Sequence, residues 1–127
     1  MSRDQFLTGA EQLLAPHAQR GRAPRGQAWY WSVSIARGVH LSIDALEDGH
    51  IRVHMHTMKA AQKAQWRRIA ADPIRLPAAL AAFGPEVLDN GNELRAYLRF
   101  VWQAGTNNYR PETAVVRQAV EWLVQQL

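Results

Sequence analysis

Apolar and polar residues alternate at period two between Trp29 and Thr57, the pattern of strands buried on one face only. Trp29, Trp31, Val33 and Ile35 fall on one side, followed by Val39, Leu41 and Ile43 and then by Ile51, Val53 and Met55. The other side carries Tyr30, Ser32, Ser34, His40, Ser42, Asp44, Arg52, His54 and His56. Gly38 and Gly49 interrupt the alternation, which predicts a three-strand antiparallel meander with a turn at each glycine. Directly opposed residues share a face. Ile35 is therefore set against Val39 across an Ala36-Arg37-Gly38 loop, and Leu46 against His50 across Glu47-Asp48-Gly49. The same register pairs Asp44 with Arg52 as opposite charges, His40 with His56 and Ser42 with His54, and places Ser32 beside Ser42.

Helical spacing flanks the meander. Ser2 and Gln5 have the spacing of a capping box, and Phe6, Leu7, Ala10, Leu13 and Leu14 follow as one stripe until Pro16 stops it. Residues 17–27 show no apolar period and read as a loop. Beyond the meander, Thr57 is expected to cap a helix over 58–71 that ends at Asp72-Pro73, with Lys59, Lys63, Arg67 and Arg68 on its outer side. Leu76, Leu80 and Phe83 suggest a short further helix closed by Gly84-Pro85.

Residues 86–102 read as a hairpin about Asn90-Gly91, with a two-residue turn that sets Val87 against Leu94 and Glu86 against Arg95. Its second strand points Leu94, Ala96, Leu98, Phe100 and Trp102 inward, and Arg95, Tyr97, Arg99 and Val101 outward. Pro111 suits a helix start, and Val115, Val116, Ala119, Val120, Leu123 and Leu127 form a last stripe with Trp122 beside it. The order α-βββ-α(α)-ββ-α predicts one α+β domain over residues 1–127. Its antiparallel sheet combines the three-strand meander with the C-terminal hairpin, and its helices pack on the Trp-rich face. The pattern leaves open whether the hairpin extends the meander or packs apart from it.

Composition narrows the setting. The 127 residues are 47% hydrophobic, enough for a core, and no apolar run approaches the length of a membrane span. Without cysteine there is no disulfide, thiolate zinc site or thiol nucleophile, and with no leader-like start the expectation is a cytoplasmic protein. The net charge of +4 suits an anionic partner. An Arg- and Ala-rich composition with lysine only at 59 and 63 is equally what a GC-rich genome would encode.

Three constellations offer chemistry. If the 93–102 strand joins the meander, Arg52, Arg95, Arg99, Tyr30, Tyr97 and His54 share one face, and Arg20, Arg22 and Arg25 lie in the preceding loop. Rings that stack on bases and guanidinium groups that neutralise phosphate make this a nucleic-acid-binding set. The same composition fits the solvated side of a one-sided sheet, or a homodimer seam. His40, His54 and His56 could hold zinc, but neighbours i and i+2 on a flat strand stand almost 7 Å apart, too far to share an ion comfortably, so no metal and no cofactor is expected. Ser32, Ser42, His54 and Asp44 supply the types of a nucleophilic triad. They lack a nucleophile turn and oxyanion hole, so an enzyme is not expected.

The stretch Trp31-Ser-Val-Ser-Ile-Ala-Arg-Gly-Val-His-Leu-Ser42, the later Ile51-Arg-Val-His-Met55 and the tryptophan of the last helix resemble a bacterial domain of unknown function. That domain is often attached to restriction-endonuclease-like regions. Its pattern has a glycine where Ala36 stands, and a serine between the arginine and glycine that are adjacent here as Arg37 and Gly38. The resemblance implies a setting near DNA processing or defence. The element order is also similar to the class I chaperones of type III secretion, which implies a homodimer that binds an extended protein segment. The expectation is a small basic binding module without enzymatic activity, its partner a nucleic acid or, alternatively, a protein.

Overall fold

A computed structural model of the chain describes residues 2–27, 29–45, 50–72, 76–83, 86–101 and 114–126. Six strands form one antiparallel sheet: β1 Arg25–Gln27, β2 Tyr30–Ala36, β3 Val39–Ala45, β4 His50–Thr57, β5 Glu86–Asp89 and β6 Leu94–Val101. Their order across the sheet is β1-β2-β3-β4-β6-β5. Helices α1 Arg3–Leu14, α2 Ala60–Ala71 and α3 Ala114–Gln125 complete the α+β fold. The hairpin does extend the meander, because β6 pairs with β4 along its whole length, from His50↔Val101 to Thr57↔Leu94.

The helices follow from their caps and stripes. Ser2 Oγ accepts from Gln5 N–H at 3.2 Å while Gln5 Oε1 accepts from Ser2 N–H at 2.9 Å, the reciprocal pair of a capping box. Helix α1 buries Phe6, Ala10, Leu13 and Leu14 and gives way to a 3₁₀ turn, Ala15–His17, at Pro16. Helix α3 buries Val116, Ala119, Val120 and Leu123, and its Trp122 meets Trp66 of α2 edge-on at 5.6 Å between ring centroids. These side chains join Val33, Leu41, Ile43, Ile51, Val53, Met55, Leu98 and Phe100 in one core, so the apolar face of the sheet is the floor on which the helices sit.

Several local expectations are corrected. Helix α2 begins at Ala60 rather than 58, and Thr57 is the end of β4 and not its cap. The Thr57 hydroxyl instead accepts from Lys59 N–H at 3.2 Å and donates to Gln62 Oε1 at 2.8 Å. Leu80 and Phe83 lie in a 3₁₀ turn, Ala78–Phe83, not an α-helix. The β2–β3 register is as predicted through Ser34↔His40, but Ala36, not Ile35, then faces Val39 across a bulge. The turn is thereby Arg37-Gly38, with Gly38 at φ 73°. The β3–β4 register matches throughout, including Asp44↔Arg52, Ser42↔His54 and His40↔His56. The turn predicted at Glu47-Asp48-Gly49 lies outside the described residues, as do Pro73, Gly84-Pro85, Trp102, Pro111 and Leu127.

The last hairpin is shifted by two residues, with Val87↔Ala96 and Asp89↔Leu94 in place of Val87 against Leu94. Side-chain capping of the loop explains the shift. Asn90 Oδ1 accepts from Asn92 and Glu93 N–H at 3.1 and 2.7 Å, and Asp89 Oδ1 accepts from Gly91 N–H at 2.9 Å. Those bonds hold a four-residue loop, Asn90 to Glu93, with Gly91 at φ 89°. An even shift leaves every side chain on its expected face.

Residues 25–27 form an edge strand where a loop was expected. The strand is carried by backbone pairing to β2 and by an aromatic cover: Gly26 lies opposite Trp31, and a Cβ there would stand 2.6 Å from Trp31 Cε3. Gly26→Ala is therefore expected to displace the indole and cost about 1–3 kcal/mol. The neighbouring exposed Gln27→Ala should stay within about 0.5 kcal/mol. Urea denaturation of both variants checks the contrast, and equal stabilities would remove the aromatic cover from this account of β1.

Candidate anion-binding site on the polar sheet face

The residues expected to face away from the helices do share one surface, but its centre is not solvated as expected. Ser42 is 0% exposed, and His54 and Tyr97 are 2% exposed each. The physical reason is that long polar side chains lie flat across their neighbours instead of standing into water. The Arg52 guanidinium sits 4.8 Å from the Tyr97 ring centroid, and the His54 ring stacks on Tyr97 at 5.0 Å and lies 4.5 Å from the His56 ring.

Carboxylates hold these lids in place. Arg52 donates to Asp44 through Nε at 3.2 Å and Nη2 at 2.6 Å, in the pairing predicted from register. Arg95 Nε donates to Glu93 at 2.7 Å and Arg99 Nη2 to Glu86 at 3.1 Å. The three sheet arginines singled out for phosphate contact are thus each paired with a carboxylate. Tyr97 and His54 are covered, and Tyr30 is half-buried.

Burial pushes the Asp44 carboxyl up, but its His54 and Arg52 contacts outweigh burial and hold it below the usual carboxylate range. Burial pushes both imidazoles down. In His54 it prevails over Asp44, whose Oδ1 lies 3.5 Å from Nε2. In His56 burial, with His54 beside it, lowers the ring to about 4 despite the 2.7 Å bond from Nδ1 to Glu93.

The catalytic ingredients are adjacent but not wired together. Ser42 Oγ donates to Ser32 Oγ at 2.9 Å and meets Tyr30 Oη at 3.2 Å, while neither ring nitrogen of His54 has a hydrogen-bond partner among the described residues. No three His, Asp or Glu side chains among the described residues are placed to share a metal ion.

At the β1 edge the character of the face changes. A cleft of about 270 Å³ opens between the strands and the segment that leads into β1, lined by Arg22, Arg25, Tyr30, Ser32, His40 and His56 among others, with no carboxylate among the described residues of its wall. Residues 17–24, within the stretch read as a loop, are tied down: Gln19 N–H donates to Ser34 O at 2.5 Å, and Arg22 N–H to Gln19 O at 3.2 Å. Arg20, Arg22 and Arg25 are exposed and enter no ion pair among the described residues. Sequence reasoning named these arginines and His40 and His56 but not the cleft that joins them. Its signal is the short strand β1, which no alternation announces.

The imidazoles give the fold a measurable pH dependence. Because both are easier to protonate in the unfolded chain than in the folded one, stability falls as pH drops below about 6.5 and levels off near the folded-state values. Asp44, depressed in the fold, stabilises above its unfolded value and contributes its loss only under more acid conditions. Discounting for the part of His56 that is wet, its share between about pH 7.5 and about pH 5 is on the order of 1 kcal/mol. His56→Gln should remove that share from the difference in urea midpoints at the two pH values, and an unchanged difference would refute the assignment.

No protein-family model, curated protein or solved structure matches the chain.

Proposed function

We propose that the chain is a small, basic, non-enzymatic module that binds nucleic acid, in the setting of a DNA-processing or defence complex. The observation that supports this most is the set of Arg20, Arg22 and Arg25 beside a cleft with no carboxylate among the described residues of its wall. Arginines already paired to carboxylates release few counterions when a polyanion arrives, whereas unpaired ones release theirs. This shifts the contact from Arg52, Arg95 and Arg99 toward the β1 edge, with Tyr30 as the aromatic group within reach of it. The resemblance of Trp31–Ser42 to the domain found beside restriction-endonuclease-like regions supports the setting.

Oligonucleotide binding measured from about 50 to about 200 mM salt tests the reading. Replacing Arg20, Arg22 and Arg25 by alanine should flatten the salt slope by about 2 for single strands, at roughly 0.7 per lost phosphate contact. Replacing Arg52, Arg95 and Arg99 should change it less. Absence of binding at the lowest salt, or a slope untouched by the first triple variant, would refute the proposal.

A homodimeric protein-binding module of the secretion-chaperone type is the second reading. Leu88, 59% exposed on the terminal strand β5, favours it, because a sheet edge bearing an exposed leucine suits strand addition by a partner. It predicts a dimer in light scattering that Leu88→Lys converts to monomer; a wild-type monomer at all concentrations would discard it.

A further inference from the structure

The wall of the β1 cleft is specialised beyond general attraction to a polyanion. Arg22 comes from a segment anchored to β2 by Gln19 N–H→Ser34 O and Arg25 from β1 itself, so the backbone that carries the two guanidinium groups is fixed rather than a loose arm. The hydroxyls are oriented. Since Ser42 Oγ donates to Ser32, Tyr30 Oη donates to Ser42, and the Ser32 O–H remains for the cleft.

His56 is oriented as well. The Glu93 carboxylate accepts a hydrogen bond from Nδ1–H, which leaves Nε2 buried without a partner among the described residues, in a ring that lines the cleft. An oxygen that brings its own exchangeable proton satisfies Nε2 in the neutral ring, and an anionic oxygen does so once that nitrogen is protonated. A phosphodiester has one charge and no exchangeable proton near neutrality. A phosphomonoester has a charge of about −1.5 to −2 and a second ionisation near pH 6, so it meets both demands.

We propose that the cleft is a receptor for a phosphomonoester, the terminal phosphate of a nucleic-acid strand, seated between Arg22 and Arg25 with Ser32 and His56 beneath it. The inference rests on the nucleic-acid reading and narrows it from the strand to its end.

Fluorescence anisotropy on one labelled single-stranded oligonucleotide, carrying a 5′-phosphate, a 3′-phosphate or only hydroxyl ends, tests it at moderate salt. One phosphorylated end should bind about tenfold more tightly than the hydroxyl form, and the preference should vanish in Arg22→Ala and Arg25→Ala, both exposed positions whose loss leaves the core intact. Ser32→Ala supplies a second reading from inside the cleft and should weaken the preference for the phosphorylated end, and an unchanged preference would remove Ser32 from the receptor. Equal affinity for all three ends overturns the terminal-phosphate inference and leaves the general nucleic-acid reading standing. No binding of any form overturns both. Competition by a nucleoside monophosphate identifies the source: displacement of the phosphorylated strand at matching concentration supports the cleft as a site for free phosphate esters, and failure to displace supports recognition of the strand end.

Discussion

The ladder between β4 and β6 is the constraint on which both faces of this molecule depend. Its eight residue pairs, from His50↔Val101 to Thr57↔Leu94, join the last hairpin to the meander. On one side Ile51, Val53 and Met55 become continuous with Leu94, Ala96, Leu98 and Phe100, which gives the three helices an apolar floor wide enough to cover. Because side chains alternate at period two, the same pairing sets Arg52 beside Arg99, His54 beside Tyr97 and His56 beside Arg95 on the other side. Cations side by side on a sheet are unfavourable. Asp44 from β3, Glu93 from the loop and Glu86 from β5 offset the repulsion, so the polar face is balanced only with strands on both sides of the ladder in place.

That balance divides the face. In the middle, charges are satisfied within the fold, rings stack on one another and His54 is sealed from water. Such a surface stabilises a sheet with helices on one side only, since its arginines stay paired with carboxylates while the plane itself is covered. Toward β1 no acidic residue lines the cleft, and the arginines of the preceding segment keep their charge unshared among the described residues. Attraction for an anion concentrates where compensation stops.

Much of this was legible in the residues. Period-two alternation assigned the faces of β3, β4 and the described part of β6 correctly, even in the last hairpin, where the register slipped by an even number. The β3–β4 register, and with it Asp44 against Arg52, came from parity alone. The two-residue turn at Asn90-Gly91 failed because Asn90 and Asp89 cap backbone N–H groups of a longer loop, a local bond that outweighs the preference of the dipeptide for a tight turn. The strand β1 was missed because three exposed residues have no alternation to display, and what holds them is an indole from the next strand.

By itself, then, the sequence determined which residues face the core, how the central strands register and that helices cover a single side. These follow from local periodicity, which each segment carries within itself. Only the tertiary structure decided which outward groups are free to meet a partner. A polar residue on a strand face reads the same whether its side chain reaches into water or lies across a neighbour. The choice depends on which carboxylates the fold brings within reach: Glu93 of the β5–β6 loop reaches its neighbour Arg95 and also His56 on β4, Glu86 of β5 reaches Arg99, and none of the carboxylates among the described residues reaches Arg22 or Arg25.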